Sequence, residues 1–217
     1  MKLTSEQYKE LSKKEFTKAA NKYETNNAGV YNLCKKDYPD ILKEIEKEDF
    51  ETLLDAGCGP APMLTLLSTK YPNKHFTGID LTEAMINKAK EKNLPNCEFI
   101  VGDCENLPFN EDSFDVIICS MSAHHYPNIK NFYKSCFKVL KSNGRLILRD
   151  MTTSNKAIAW FGEHIEMPLA NKVGHGDVRM LEIPLEKKLM EEEGLKVEIA
   201  EQRKDMRLHM VARKPLN

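Results

Sequence analysis

LLDAGCGPAPML, residues 53–64, decides the fold. An apolar run closes on Asp55, Gly57-Cys58-Gly59-Pro60-Ala61-Pro62 follows, and Met63 and Leu64 resume the apolar pattern. This reads as a buried strand, a glycine turn and the start of a helix. The glycines permit a tight turn and let backbone N–H groups at the helix N-terminus approach a ligand closely. A dinucleotide site needs a third glycine to bring helix against strand and seat a pyrophosphate. Pro62 stands in that position, which weighs against NAD(P) and leaves room for a smaller nucleoside ligand.

Working outward, short apolar runs alternate with amphipathic stretches, the pattern of βαβ units in a mostly parallel sheet covered on both faces. Seven strands are expected, at 50–56, 75–80, 97–101, 114–120, 145–150, 195–201 and 206–213. Between them, Met63 with Leu67, Met85 with Ile86 and Ala89, and Ile129 with Phe132, Tyr133, Phe137 and Leu140 recur at helical spacing. Thr82 is expected to cap the second of these helices and Asn143-Gly144 to close the third. The last two strands are separated only by a short connection around Asp205, so they are expected to form an antiparallel hairpin at the end of the sheet. The fold class expected is α/β, a Rossmann-like doubly wound seven-stranded sheet. One domain is divided into a helical cap (1–49, with helices near 5–20 and 39–48), a binding core (50–150), a lid-like irregular insertion (151–180) and a C-terminal helix with hairpin (181–217).

The 217 residues suit one large domain, and 32 Lys plus Arg against 33 Asp plus Glu leave a net charge of -1. No global positive field is available for a nucleic-acid backbone. The charged N-terminus lacks the apolar core of a secretory signal, and no run approaches the ~18 apolar residues of a membrane span, so a cytoplasmic location is expected. Six scattered cysteines without a CxxC pair read as reduced packing residues.

Two further strand ends carry chemistry. Asp80 closes HFTGID and suits equally the acceptance of two ribose hydroxyls and a helix cap shared with Thr82; Leu81 beside it offers an apolar contact for a base. Asp103 and Cys104, in VGDCENLPF, fall where a carboxylate accepts from an adenine amino group, or simply shapes a turn. Taken in order, LLDAGCGPAP, GIDLTEAMINKAK, VGDCENLPF, DSFDVIICSMSAHHYPN and VLKSNGRLILRD resemble the class I S-adenosylmethionine-dependent methyltransferases, in particular the small-molecule branch similar to ubiquinone and menaquinone biosynthesis methyltransferases. The motifs cover 50–150 and the element order extends to 213. Pro60-Ala61-Pro62, where relatives often carry a further glycine, departs from the pattern.

The resemblance implies S-adenosylmethionine as cofactor and S-adenosylhomocysteine as product. Asp55, Gly57 and Gly59 would surround the methionine portion, Asp80 the ribose, and Leu81, Asp103 and the Cys104 N–H the adenine. Cys119 and Ser120 would floor the site near the sulfonium, with Tyr23 over the cofactor. Methyl transfer needs chiefly an in-line geometry. A proton leaving the acceptor could go to His125, preferred to His124, with Asp150 from the neighbouring strand tip; the alternative is that these histidines only shape the pocket. Adjacent His residues are expected to diverge and hold no metal. The acceptor expected is a small molecule, without nucleic-acid or membrane partners, on a monomer or homodimer. The alternative function is binding of S-adenosylmethionine for non-methyl chemistry or for regulation alone.

Overall fold

The computed structural model describes residues 3–24, 32 and 34–216. Seven strands form a single sheet in the order β3-β2-β1-β4-β5-β7-β6: β1 (Thr52–Ala56), β2 (His75–Asp80), β3 (Cys97–Val101), β4 (Phe114–Ser120), β5 (Leu140–Met151), β6 (Lys196–Arg203) and β7 (Arg207–Arg213). β1 pairs in parallel with both β2 and β4, aligning Asp55 with Gly78 and Ile118. The order reverses between β1 and β4, so the crevice beyond their carboxyl ends is where an open α/β sheet binds ligands. β7 alone runs antiparallel, paired with β5 and β6, and closes the sheet as the expected hairpin.

Both faces of the sheet are covered, which is why its central strands carry apolar residues on both sides. Leu54, Ile117, Cys119, Leu146 and Leu148 pack against α5 (Ile129–Val139) and α8 (Ile183–Glu192). Leu53, Val116, Ile118 and Ile147, one residue out of step, pack against α2 (Tyr38–Ile45), α3 (Pro62–Lys70) and α4 (Glu83–Glu91). Among the described residues no helix is long and apolar enough to cross a membrane.

Two local expectations differ from the structure, while Thr82 takes its expected place as a cap. The third core helix ends at Val139 rather than at Asn143-Gly144. Asn143 takes a left-handed φ of 67° inside β5, where its N–H donates to the Lys214 carbonyl and the Lys214 N–H to the Gly144 carbonyl. Cross-strand pairing thus overrides a local helix stop. Segment 151–180 is not irregular: α6 (Lys156–Phe161) leads through a wide turn at Gly162–Glu166 into α7 (Met167–Lys172), and the Asn155 side chain caps α6 by accepting from the Ala157 and Ile158 N–H groups. Its helical period escaped notice because Trp160, Phe161, Leu169 and Val173 stay exposed. Thr82 occupies the cap of α4 through its carbonyl, with no hydroxyl bond.

The N-terminal helix α1 (Ser5–Ala19) starts at a reciprocal pair in which Thr4 and Gln7 satisfy each other's backbone N–H groups. α2 is anchored by charge as well as by Ile41 and Ile45. Asp37, completely buried, accepts from Arg149 Nη2 at 2.8 Å and Nε at 3.2 Å and lies 3.7 Å from Arg207. Removing one partner of a buried ion pair leaves the other charge without compensation, at a cost of about 3–5 kcal/mol. Because Asp40 Oδ2 stays 3.2 Å from Arg149 Nη2, Asp37→Ala should lower unfolding free energy toward the lower end of that range in urea titration, whereas replacing exposed Asp205, which pairs with Lys36, should change it little.

Candidate functional site

The glycine turn is held from below by β2. Gly57 and Cys58 N–H groups both donate to the Ile79 carbonyl, at 2.8 and 3.0 Å. Gly57 and Gly59 have φ of 79° and 53°, a region that side-chain-bearing residues avoid. A Cβ on Gly57 would meet Ser122 Oγ at 2.0 Å, while one on Gly59 would meet nothing within 4 Å. Ala61 also adopts a positive φ, 59°, and Pro62 then opens α3. The departure at 60–62 therefore has a local solution: Ala61 supplies the left-handed step and Pro62, needing no N–H partner, starts the helix.

Asp80, at the tip of β2, ties the turn together. Its Oδ2 accepts from Gly59 N at 2.9 Å and its Oδ1 from Thr82 N at 2.8 Å. A carboxylate has about four lone-pair sites, so two backbone bonds leave capacity for hydroxyl donors. The helix-start role and a ligand role are thus compatible on one side chain.

Gly57, Asp80, Leu81, Asp103, Cys104 and His125 line one cleft of about 50 Å³ at the strand ends. Its roof is α1, a helix expected to cap the strand ends, although its lining residues were not singled out: Lys9, Ser12 and Phe16 face the cleft at i, i+3 and i+7, the spacing of one helix face. Lys9 Nζ lies 2.7 Å from Asp103 Oδ2, and Asp103 Oδ1 caps the following turn by accepting from Glu105 N at 2.9 Å. Ser122 and Tyr126, also unforeseen, complete the lining, their hydroxyls 2.8 Å apart. Other expected residues lie elsewhere. Cys119 is buried in the core, 3.9 Å from Tyr126 Oη. Ser120 is not among the cleft-lining residues, and its buried hydroxyl has no hydrogen-bond partner among the described residues. Tyr23 lies against Cys34, with Oη 3.7 Å from Sγ. Asp55 sits beneath the turn, 4% exposed.

The short helical turn Ala123–His125 follows β4. His124 Nδ1 lies 2.7 Å from Asp150 Oδ1, and the His124 N–H donates to Asp150 Oδ2 at 3.2 Å, so the carboxylate at the end of β5 fixes both backbone and ring. The pairing of these strand tips therefore involves His124, while His125 is the histidine lining the cleft. The two rings do not diverge as expected: their centroids are 4.1 Å apart, and Asp177 from the distant 173–180 loop reaches both, with Oδ1 3.7 Å from His124 Nε2 and 3.5 Å from His125 Nδ1. That loop is tethered by Val178 N–H to the His124 carbonyl at 3.0 Å. Burial disfavours charge on His124, but the charge and hydrogen bond of Asp150 outweigh it and raise its pKa, while Asp150 is lowered in return. Burial and then the charge of His124 lower the pKa of His125. His164, stacked on Trp160 at 5.0 Å, lines instead a separate cavity of about 1520 Å³ between α1 and the 156–172 helices.

Comparison with known proteins follows the same outline. Residues 47–204 match the family described as Methyltransferase domain. A phthiotriol/phenolphthiotriol dimycocerosates methyltransferase of Mycobacterium ulcerans is 33% identical over 118 residues, 54% of this chain and 44% of that protein. A demethylmenaquinone methyltransferase of Thermotoga maritima is 32% identical over 144 residues, 64% of this chain and 61% of that protein. The chain thus spans about half the length of these curated relatives. A SAM-dependent methyltransferase from Aquifex aeolicus superposes with a TM-score of 0.65 at 20% identity, covering 82% of this chain and 89% of that one, a likeness of fold.

The buried Asp55 has an electrostatic signature of its own. Desolvation, and then repulsion from Asp80, push its pKa up to about 7. Between the ordinary carboxyl value of ~3.9 and this raised value the folded protein holds a proton that the unfolded chain has released. The contribution is therefore fully present below pH ~4 and is lost as pH rises through about 7. Asp55→Asn, which cannot ionise, should match the parent near pH 4 and melt at progressively higher temperature relative to it toward pH 8 in ligand-free protein.

Proposed function

Because the chain belongs to the methyltransferase-domain family, we propose that it transfers the methyl group of S-adenosylmethionine to a small-molecule acceptor, releasing S-adenosylhomocysteine. The observation that carries this reading is the convergence of Gly57, Asp80, Leu81, Asp103 and His125 on one cleft at the strand-order reversal.

The chemistry of the residues fits the cofactor. Among the described residues no cation acts on Asp55 and Asp80 is the charge that perturbs it, so an ammonium would relieve an electrostatic penalty already built into the turn. Asp80 keeps acceptor capacity for ribose hydroxyls, and Asp103 offers a carboxylate where an adenine amino group would donate. Lys9 competes for that same carboxylate. Small-molecule sites measure roughly 300–1,000 Å³, far above the cleft's 50 Å³, so admitting a nucleoside requires α1 to swing outward.

The bound sulfonium supplies an electrophilic methyl group, and the chain's own contribution is positioning and exclusion of water. α1 stands as the wall between cleft and large cavity: Lys9, Ser12 and Phe16 face the one, Tyr8, Leu11 and Lys14 the other. Once α1 swings outward the two spaces join, and we assign the acceptor's apolar body to the cavity side, beside Leu11, Met167, Met180 and Leu185, with its reacting atom facing the cleft. A proton released by the acceptor leaves at the His124–His125 turn, which Asp150 positions.

Calorimetric titration with S-adenosylhomocysteine tests the reading. Hydrogen bonds to a charged group contribute ~1.5–3 kcal/mol each, so Asp80→Asn and Asp80→Ala should weaken binding at least about tenfold, with NADH not bound by any form. Equal affinity in the variants would sink the assignment of the cleft. An acceptor screen should then yield S-adenosylhomocysteine; methylthioadenosine in its place would mark non-methyl chemistry.

A further inference from the structure

We propose that His124, His125 and Asp177 form a binding site for a divalent first-row transition-metal ion at the rim of the cleft. One potential ligand atom from each residue lies within 4.8 Å of the other two. His124 Nε2 and His125 Nδ1 stand 3.7 and 3.5 Å from Asp177 Oδ1. Metal–ligand bonds of ~2.0–2.2 Å place the ligand atoms of a tetrahedral zinc site about 3.3–3.5 Å apart, so the side chains are nearly at coordination spacing already. Adjacent histidines converge because they offer different nitrogens, Nε2 from the first ring and Nδ1 from the second.

Two further observations point to a ligand rather than to incidental crowding. His125 Nδ1 is buried and has no hydrogen-bond partner, although its side chain is only 10% exposed and this nitrogen faces Asp177. Leaving such a group unsatisfied is costly. The ring of His124 is oriented from behind by Asp150 on Nδ1 at 2.7 Å, the carboxylate–histidine arrangement that directs an imidazole toward a metal. Asp177 is held in place by its neighbours, Val178 N–H on the His124 carbonyl and Arg179 Nη2 on the Pro127 carbonyl at 3.1 Å. Two imidazoles and one carboxylate select a borderline cation such as Zn²⁺, Mn²⁺ or Fe²⁺ over Ca²⁺, which prefers an all-oxygen cage.

Three protein ligands leave a coordination position open, as catalytic rather than structural sites do. His125 also lines the cleft, so that position falls where an acceptor oxygen or nitrogen would lie. This functional extension, unlike the site itself, rests on the methyl-transfer reading: a metal-bound hydroxyl is acidified, so with the metal in place it would lose its proton to solvent rather than to the ligating histidines and attack more readily than the neutral hydroxyl.

The test uses the full chain stripped with chelator, titrated calorimetrically with Zn²⁺ and followed by absorption with Co²⁺. One equivalent should bind, with ligand-field bands for Co²⁺ and no thiolate charge-transfer band despite six cysteines. Asp177→Ala, on a partly exposed loop and checked for an unchanged melting curve, should weaken affinity at least about tenfold, and Asp150→Asn by about 10–100-fold. Absence of stoichiometric binding, a thiolate band, or parental affinity in either variant overturns the site. S-adenosylhomocysteine titration of the same preparation reads the cofactor assignment separately, so failure of one reading is distinguishable from failure of the other.

Discussion

A carboxylate drawn out of water must find a counter-charge, a hydrogen-bond donor or a proton, and much of this protein is arranged around five such demands. Asp80 takes two backbone N–H groups, and in doing so joins the glycine turn to the start of α4. Asp150 takes His124, which fixes the turn after β4. Asp37 takes Arg149 and thereby docks α2 on the sheet. Asp103, less deeply placed, takes Lys9 and brings α1 over the cleft. Asp55 has none of these and retains its proton to about pH 7. The one of the five that finds no partner among the described residues is the one directly beneath the turn where the proposed reading puts a cationic ligand group.

The two cap helices are attached by different physics. α2 buries Ile41 and Ile45 and is locked by an enclosed ion pair, so it belongs to the core. α1 buries only Tyr8 and Ser12 along its length, and beyond the edge-on contact of Phe16 with His125 its ties are chiefly polar: Lys9 to Asp103 and Glu105, and Glu15 to His175 and Gly176 N. Segments with few buried apolar contacts open at the lowest free-energy cost. The helix that the proposed reading moves aside to admit a nucleoside is thus one that buries little of its own length. Gly176 permits its close fit, since a Cβ there would lie 2.6 Å from the Ser12 backbone nitrogen. The 173–180 loop consequently bridges α1 and the His124–His125 turn.

How much of this was legible beforehand varies with the range of the interaction. β2, β3 and β4 were placed to the residue, because strands covered on both faces read as continuous apolar runs bounded by turns. α6 and α7 were not, because their apolar residues face outward and supply no amphipathic period. The Asn143-Gly144 step read as a helix stop but lies in a strand, since its partner Lys214 is 71 or 70 positions away and carries no local mark.

The sequence by itself determined the sheet, the glycine turn and the acidic residues at the strand tips, each a property of a few neighbouring side chains acting through backbone conformation and burial period. It also required Cys119 and Ser120 to face opposite sides of β4, but which of them met the core was a matter of what packed on each face. Tertiary structure alone decided that Lys9 lies on Asp103, 94 residues away, and that Asp177 closes on His124 and His125. Those contacts have no local signature because their energy appears only after the chain segments that carry them have been packed together, by surfaces that the paired residues do not themselves contribute.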